Sequence, residues 1–322
     1  MKFSKIFISG GAGFIGSHVF DHFSKLYPNA EIRILDKLTY AASLKNIPST
    51  NENKKHQLIV GDICDTDLCL EHTRDIDLII HLAAESHVDN SFEESILFSK
   101  TNCLGTHSLM EAAKRNEVKR ILHVSTDEVY GENIDPKFTE SDPLNPTNPY
   151  SASKAAAEMI VKSYHNSFDL PVIIVRANNI FGIRQYPEKI IPKFISRALN
   201  NETLQIQGDG SNQRHYLSVY DFAKALEILS NKASPGEIYN IASDLELSNL
   251  EVAKLINNQI RKNVNLDNHS KILCNSEIYV PTGDLEYFCT YTGGECRGVF
   301  EPKTPPNEGE MPSCPDCRDN SD

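Results

Sequence analysis

From Lys5 to about Arg176 the chain alternates short apolar runs with longer stretches in which apolar residues recur every three or four positions. The runs KIFIS, EIRILD, HQLIV, DLIIHLA, RILHVST and VIIVRA are brief and rich in Ile, Val and Leu, the composition of strands buried on both faces. Between them, helical periodicity over 15–26, 101–116 and 151–166 predicts helices. Strand and helix in strict alternation imply an α/β fold with a doubly wound parallel sheet. After residue 176, Pro and Gly punctuate the chain, and the periodic segments 190–199 and 219–230 predict two more helices in a smaller C-terminal substrate domain, 177–262. From 263 to 322 the sequence is rich in Pro, Gly, Glu and Cys with no sustained period, which predicts a poorly ordered acidic tail.

Composition narrows the field. At 322 residues there is room for about two domains, and 40% hydrophobic with 24% charged residues is ordinary for a globular protein. No apolar run is long enough to cross a membrane, and MKFSKIFISGGAGFIG reads as a strand entering a turn, so a cytoplasmic location is expected. A net charge of -12 counts against a nucleic-acid partner. It leaves room for an anionic small molecule held by backbone amides and a few arginines. Cys64, Cys69, Cys103 and Cys274 are scattered as reduced thiols would be. Cys289, Cys296, Cys314 and Cys317 crowd the tail, but one CxxC and a loosely spaced pair fall short of a tetrahedral zinc set, and no metal is assigned.

The chemistry is concentrated in three places. GGAGFIG follows the first strand and opens a helix, so Gly10, Gly13 and Gly16 allow a tight turn, close approach to a pyrophosphate, and close packing of helix on sheet. Asp36 ends the second strand about 20 residues on, where an acid suits a ribose 2′-hydroxyl and repels a 2′-phosphate. NAD is therefore favoured over NADP, a preference that neighbouring Lys37 tempers slightly. Asp62, after the third strand, is either an acceptor for the adenine amine or a turn cap. Ala83 and Ala84 are small enough for backbone to lie beside a cofactor, or for simple helix-sheet packing. His81, inside a strand, reads as a satisfied core histidine.

Tyr150 and Lys154 in PYSASK stand four apart, hence on one helix face. A lysine ammonium and a nicotinamide charge would both favour the tyrosinate, bringing its pKa down from about 10 towards neutrality. In STDEVYG, Thr126 can hydrogen-bond the tyrosine and a substrate oxygen at the carboxyl edge of the sheet. Asp127 and Glu128 beside it exceed what hydride transfer needs; two acids of separated pKa suit an elimination, or else a capped, solvated turn.

Together with LDKLTYA, GDICD, HLAAESHVDNS, NPYSASKAAAE, YPEKIIPKFI and YNIAS, these motifs resemble the nucleotide-sugar 4,6-dehydratases acting on dTDP-glucose or UDP-glucose, of the extended short-chain dehydrogenase/reductase (NAD-dependent epimerase/dehydratase) family. The resemblance runs from about residue 5 to 260 and implies a Rossmann-type fold. It implies oxidation at sugar carbon 4 with Tyr150 as base, proton removal from carbon 5 by Glu128, protonation of the departing carbon 6 hydroxyl by Asp127, and hydride return to carbon 6. It places Phe14, Ile15, Asp36, Lys37, Leu38, Thr39, Asp62, Ile63, Leu82, Ala83, Ala84 and Thr101, with Tyr150 and Lys154, around NAD. It places Ser86, Thr126, Asn179, Lys189, Ile190, Arg214 and Asn249 around the sugar nucleotide, with Arg214 set against the diphosphate. A homodimer through paired helices is also implied. Past Asn263 the family's Arg-Pro and Arg-Tyr segment and its tryptophan are missing, since this chain has no Trp. Two other readings stay open: a nucleotide-sugar 4-epimerase, which needs no acid pair, and a non-catalytic NAD-binding protein.

Overall fold

The computed structural model describes residues 3–131, 138–206, 208–264, 272–274 and 278–279. The tail cysteines Cys289, Cys296, Cys314 and Cys317, and most of 263–322, lie outside the described residues. Strands β1 (Lys5–Ser9), β2 (Glu31–Asp36), β3 (His56–Val60), β4 (Leu78–His81), β5 (Ile121–Thr126) and β6 (Val172–Ala177) coincide with the apolar runs of the sequence. They are followed by β7 (Asn179–Phe181), β8 (Leu204–Ile206), β9 (Gln213–Ser218), β10 (Ile238–Ile241) and β11 (Glu246–Ser248). The main helices are α1 (Phe14–Leu26), α2 (Ser49–Glu52), α3 (Thr66–His72), α4 (Val88–Glu93), α5 (Ser95–Phe98), α6 (Thr106–Arg115), α7 (Pro149–Phe168), α8 (Ile190–Leu199), α9 (Val219–Lys232) and α10 (Asn249–Val264).

Seven strands form one sheet in the order β10-β6-β5-β4-β1-β2-β3, every pair parallel. Ile8 of β1 registers with Ile34 of β2 on one side and Ile80 of β4 on the other. Because side chains alternate along a strand, Ile6 and Ile8 face one layer and Phe7 the other. The first layer packs on Phe20 and Phe23 of α1 and Phe222 and Leu226 of α9. The second packs on Leu109 and Met110 of α6 and Val161 of α7. The chain winds outward from β1 in both directions, so a crevice opens at the carboxyl ends of β1 and β4, where such sheets bind ligands. This is a Rossmann-type doubly wound sheet.

A separate cluster, with Phe194, Leu204, Ile206, Tyr216, Val252 and Ile256, holds α8 and α10 against the short strands. The chain beyond residue 177 does not stay there: α9 packs on α1, and β10 adds the sheet's last strand beside β6. The helix expected over 101–116 is also more complex, since α5 runs into a π-helical segment, Ser99–Gly105, before α6. Within it Asn102 accepts from the Glu85 amide at 2.9 Å and donates to the Glu85 carbonyl at 3.0 Å and the Ser153 hydroxyl at 2.8 Å. A wide helical turn at this point ties the loop after β4 to α7.

Candidate active site

The glycines of the first turn are required for different reasons. Gly10 has φ +73°, and a Cβ there would stand 2.8 Å from the Ala83 backbone. At Gly16 a Cβ would come within 2.1 Å of the Gly10 carbonyl. A Cβ on Gly13 would meet only the Gly10 carbonyl, at 3.4 Å, with open space beyond. No side chain of the described residues fills that space, and it lies at the N-terminus of α1, where free amides favour an anion. Asp36 braces the same turn: its Oδ2 accepts from the Ala12 amide at 2.9 Å and its Oδ1 from the Leu38 amide at 2.8 Å. Burial pushes its pKa up against those bonds. With the Gly13 amide also directed at the carboxylate, one acceptor site is left for a ribose hydroxyl. Asp62 is a turn acid engaged at home, accepting from Lys37 Nζ at 2.8 Å and from the Cys64 amide at 2.9 Å.

The opposite wall of the crevice comes from the ends of β5 and the start of α7. Thr126 closes β5, and its Oγ1 accepts from the Glu128 amide at 3.3 Å, starting a 3₁₀ turn Asp127–Tyr130. Asn148 caps α7, accepting from the Ser151 amide at 2.8 Å, with Pro149 in the first turn. Tyr150 and Lys154 follow one turn apart on that helix, both buried. Lys154 Nζ donates to the Val124 carbonyl at 2.7 Å, and burial brings its pKa down to about 8.

Tyr150 departs from the sequence expectation. Burial, then the charges of Glu128 and Asp127, push its phenol well above the ordinary value, and only the hydrogen bond to Thr126 acts downward. Asp127 is raised to about 6, first by burial and then by the Glu128 charge, against the hydrogen bond to Thr126 and the more distant Arg214. His81 is a core histidine: its ring contacts Ser9 at 2.8 Å and Thr106 at 2.9 Å, and burial brings its pKa down to about 3.

One cleft of about 530 Å³ gathers these groups. It is lined by Gly10, Gly13, Phe14, Ile15, Gly16, Asp36, Lys37, Thr39, Asp62, Ile63, Leu82, Ala83, Ala84 and Thr101, and by Thr126, Asp127, Glu128, Tyr150 and Lys154. Ser86, Asn179, Lys189, Ile190, Arg214 and Asn249 line the same cleft. Leu38 is the exception among the residues expected there: at φ +54° its side chain packs against the core beneath α1. Sequence reasoning missed Glu85, Tyr186 and Glu188, which also line the cleft. Tyr186 and Glu188 lie inside the YPEKIIPKFI motif and Glu85 inside HLAAESHVDNS, but spacing alone gave them no role. It also missed Asn148, whose Nδ2 donates to Glu128 Oε2 at 3.4 Å.

With this geometry in view, comparison with known proteins is informative. The family model described as GDP-mannose 4,6 dehydratase matches residues 7–288, reaching into the segment read as an atypical tail. The dTDP-D-glucose 4,6-dehydratase of Dictyostelium discoideum is 48% identical over 267 residues, covering 79% of this chain and 62% of that protein, so this chain spans less than two thirds of that relative's length. The Homo sapiens protein of the same name is 41% identical over 308 residues, 95% of this chain and 87% of that one. The solved dTDP-glucose 4,6-dehydratase DesIV from Streptomyces venezuelae, with NAD bound, superposes with a TM-score of 0.78 at 36% identity, covering 84% of each chain. From its folded crevice to its sequence, the chain belongs to the GDP-mannose 4,6 dehydratase family of nucleotide-sugar dehydratases.

Proposed function

We propose that the protein is an NAD-dependent nucleotide-sugar 4,6-dehydratase that converts dTDP-glucose or UDP-glucose to the 4-keto-6-deoxy sugar nucleotide. The observation that carries this reading is the Asp127–Glu128 pair standing in one cleft with Tyr150 and Lys154. An epimerase or a plain dehydrogenase needs the second pair and not the first.

The cleft suits a dinucleotide, with the open space at Gly13, the α1 amides for a pyrophosphate and the Asp36 carboxylate for a ribose. NAD, when bound here, would supply hydride exchange between carbons 4 and 6 and would add its positive charge to that of the Lys154 ammonium near Tyr150. Tyr150 accepts the carbon 4 hydroxyl proton, with Thr126 bonding both phenol and sugar oxygen. Lys154, anchored on the Val124 carbonyl, keeps an ammonium beneath them. Glu128 removes the proton on carbon 5, which the new ketone has acidified, and carbon 5 takes a proton back as the hydride reaches carbon 6. Asp127, with a pKa of about 6, still carries a proton on an appreciable fraction of molecules near neutrality and delivers it to the departing carbon 6 hydroxyl. Asn179, Lys189, Ile190, Arg214 and Asn249, from the substrate region 177–262, with Ser86 facing them, hold the sugar nucleotide. Lys189 already donates to the Ser86 carbonyl across the cleft at 3.0 Å. Arg214 is exposed on the cleft wall, its Nη1 donating to the Gln213 carbonyl at 2.9 Å, and its remaining N–H groups can turn to a diphosphate.

Exposed apolar side chains on adjoining elements, Phe92, Ile96 and Leu104, supply a face for a second copy, and the protein works as a homodimer in the cytoplasm. Incubation with each sugar nucleotide and weighing of the product tests the activity. A mass lower by one water supports dehydration; unchanged mass with altered stereochemistry at carbon 4 supports the epimerase, and no change at all the non-catalytic binder.

A further inference from the structure

Beneath the turn that carries Asp127 and Glu128 lies an ionic cluster that the reaction above does not use. Arg176 of β6 is 1% exposed and Glu158 of α7 is fully buried. The guanidinium Nε and Nη2 donate to the Glu158 carboxylate at 3.0 and 2.7 Å, and Nη1 donates to the Tyr130 hydroxyl at 2.6 Å. That hydroxyl in turn donates to Asn240 Oδ1 on β10 at 2.8 Å. The guanidinium lies over the Tyr130 ring at 4.6 Å, and Phe138 stacks on the same ring at 4.7 Å. Burying an ion pair is no net gain by itself, because desolvation cancels most of the attraction. What the pair does is hold Tyr130 at both its hydroxyl and its ring, alongside Asn240 and Phe138.

Tyr130 is the last residue of the four-residue turn. Asp127 and Glu128 open to the cleft, while Val129 and Tyr130 are buried on the far side. The turn's other fixings are longer: Thr126 to the Glu128 amide at 3.3 Å, Asn148 to the Glu128 carboxylate at 3.4 Å, and the Asn145 amide to the Val129 carbonyl at 3.0 Å. The hydride-transfer side has a fixing of its own in the Lys154 bond to β5, and touches the turn through Thr126 and Asn148. We propose that Tyr130, held by the Arg176–Glu158 pair and Asn240, is a positioning residue that sets the two carboxyl groups against carbons 5 and 6, so that elimination depends on it while hydride removal does not. The inference rests on the dehydratase reading.

The test is Tyr130→Phe in the full-length protein, which removes one hydroxyl and leaves the ring stack and the α7–β6 ion pair in place. In single turnover with NAD and whichever sugar nucleotide the wild type converts, NADH absorbance reports hydride removal and product mass reports loss of water. NADH is expected to form within about twofold of the wild-type rate and then persist, with water loss slowed roughly tenfold, the scale of a small misplacement of reacting groups. Asn240→Ala, which removes the acceptor of the same hydroxyl, is expected to act in the same direction and keeps the test open if the first variant melts early. Equal slowing of both steps, or no change in either, overturns the proposal. Wild-type protein that never loses water overturns the dehydratase reading, and this one with it.

Discussion

Asp127 and Glu128 are neighbours in sequence, yet the cleft gives Asp127 a pKa of about 6 through burial and the charge next door. If it is the proton donor, the elimination step falls as pH rises through about 6 while hydride removal does not follow that curve; single-turnover rates across pH check this. Asp127→Asn is expected to slow water loss by about a hundredfold or more. Stability moves the other way. The folded pKa lies above the ordinary 3.8, so the protonated carboxyl's contribution is present below about pH 4 and lost as pH rises through about 6. The Asn variant should therefore gain about 1–2 kcal/mol at pH 7 and almost nothing at pH 4, a figure held below the full shift because the carboxyl is open to the cleft. Thermal melts at the two pH values read it. At this scale the sequence was legible wherever spacing alone sets geometry, as with Tyr150 and Lys154 one helical turn apart. It was silent where partners come from distant chain: the Val124 carbonyl under Lys154, and Lys37 on Asp62.

The elements that carry the site were legible because doubly buried strands must be apolar throughout, and β1 to β6 stand where their runs of Ile, Val and Leu stand. β10 escaped notice for the converse reason: it is an edge strand, half-buried along its length, and its IYNI carries no such run. The π-helical turn was hidden as well, since its cause is Asn102 reaching across to the loop after β4, a contact with no local period. The glycine turn offers a test within one element. Gly13→Ala is expected to leave the melting temperature of the cofactor-free protein nearly unchanged and to weaken NAD binding by tenfold or more, because its Cβ enters only the open space of the cleft. Gly16→Ala, whose Cβ would strike the Gly10 carbonyl, is expected to lower the melting temperature itself. Equal effects of the two on stability would contradict the assignment.

For the molecule as a whole, the proposed substrate region is not a single cut in the chain: α9 and β10 return to pack with the main sheet, while α8 and α10 keep a cluster of their own. No sequence period marks that return. The helix face bearing Ile96, which is 80% exposed, is the proposed seat of a second copy. Ile96→Asp is expected to convert a two-chain particle to a single chain by light scattering; a wild type that is already single contradicts the dimer. The central claim, that one cleft oxidises carbon 4, expels water across carbons 5 and 6, and reduces carbon 6, has a direct test in the sugar nucleotide carrying deuterium on carbon 4. The expected product has lost water and carries the deuterium on carbon 6. Deuterium found again on carbon 4 of an undehydrated sugar, or an untouched substrate, would contradict it.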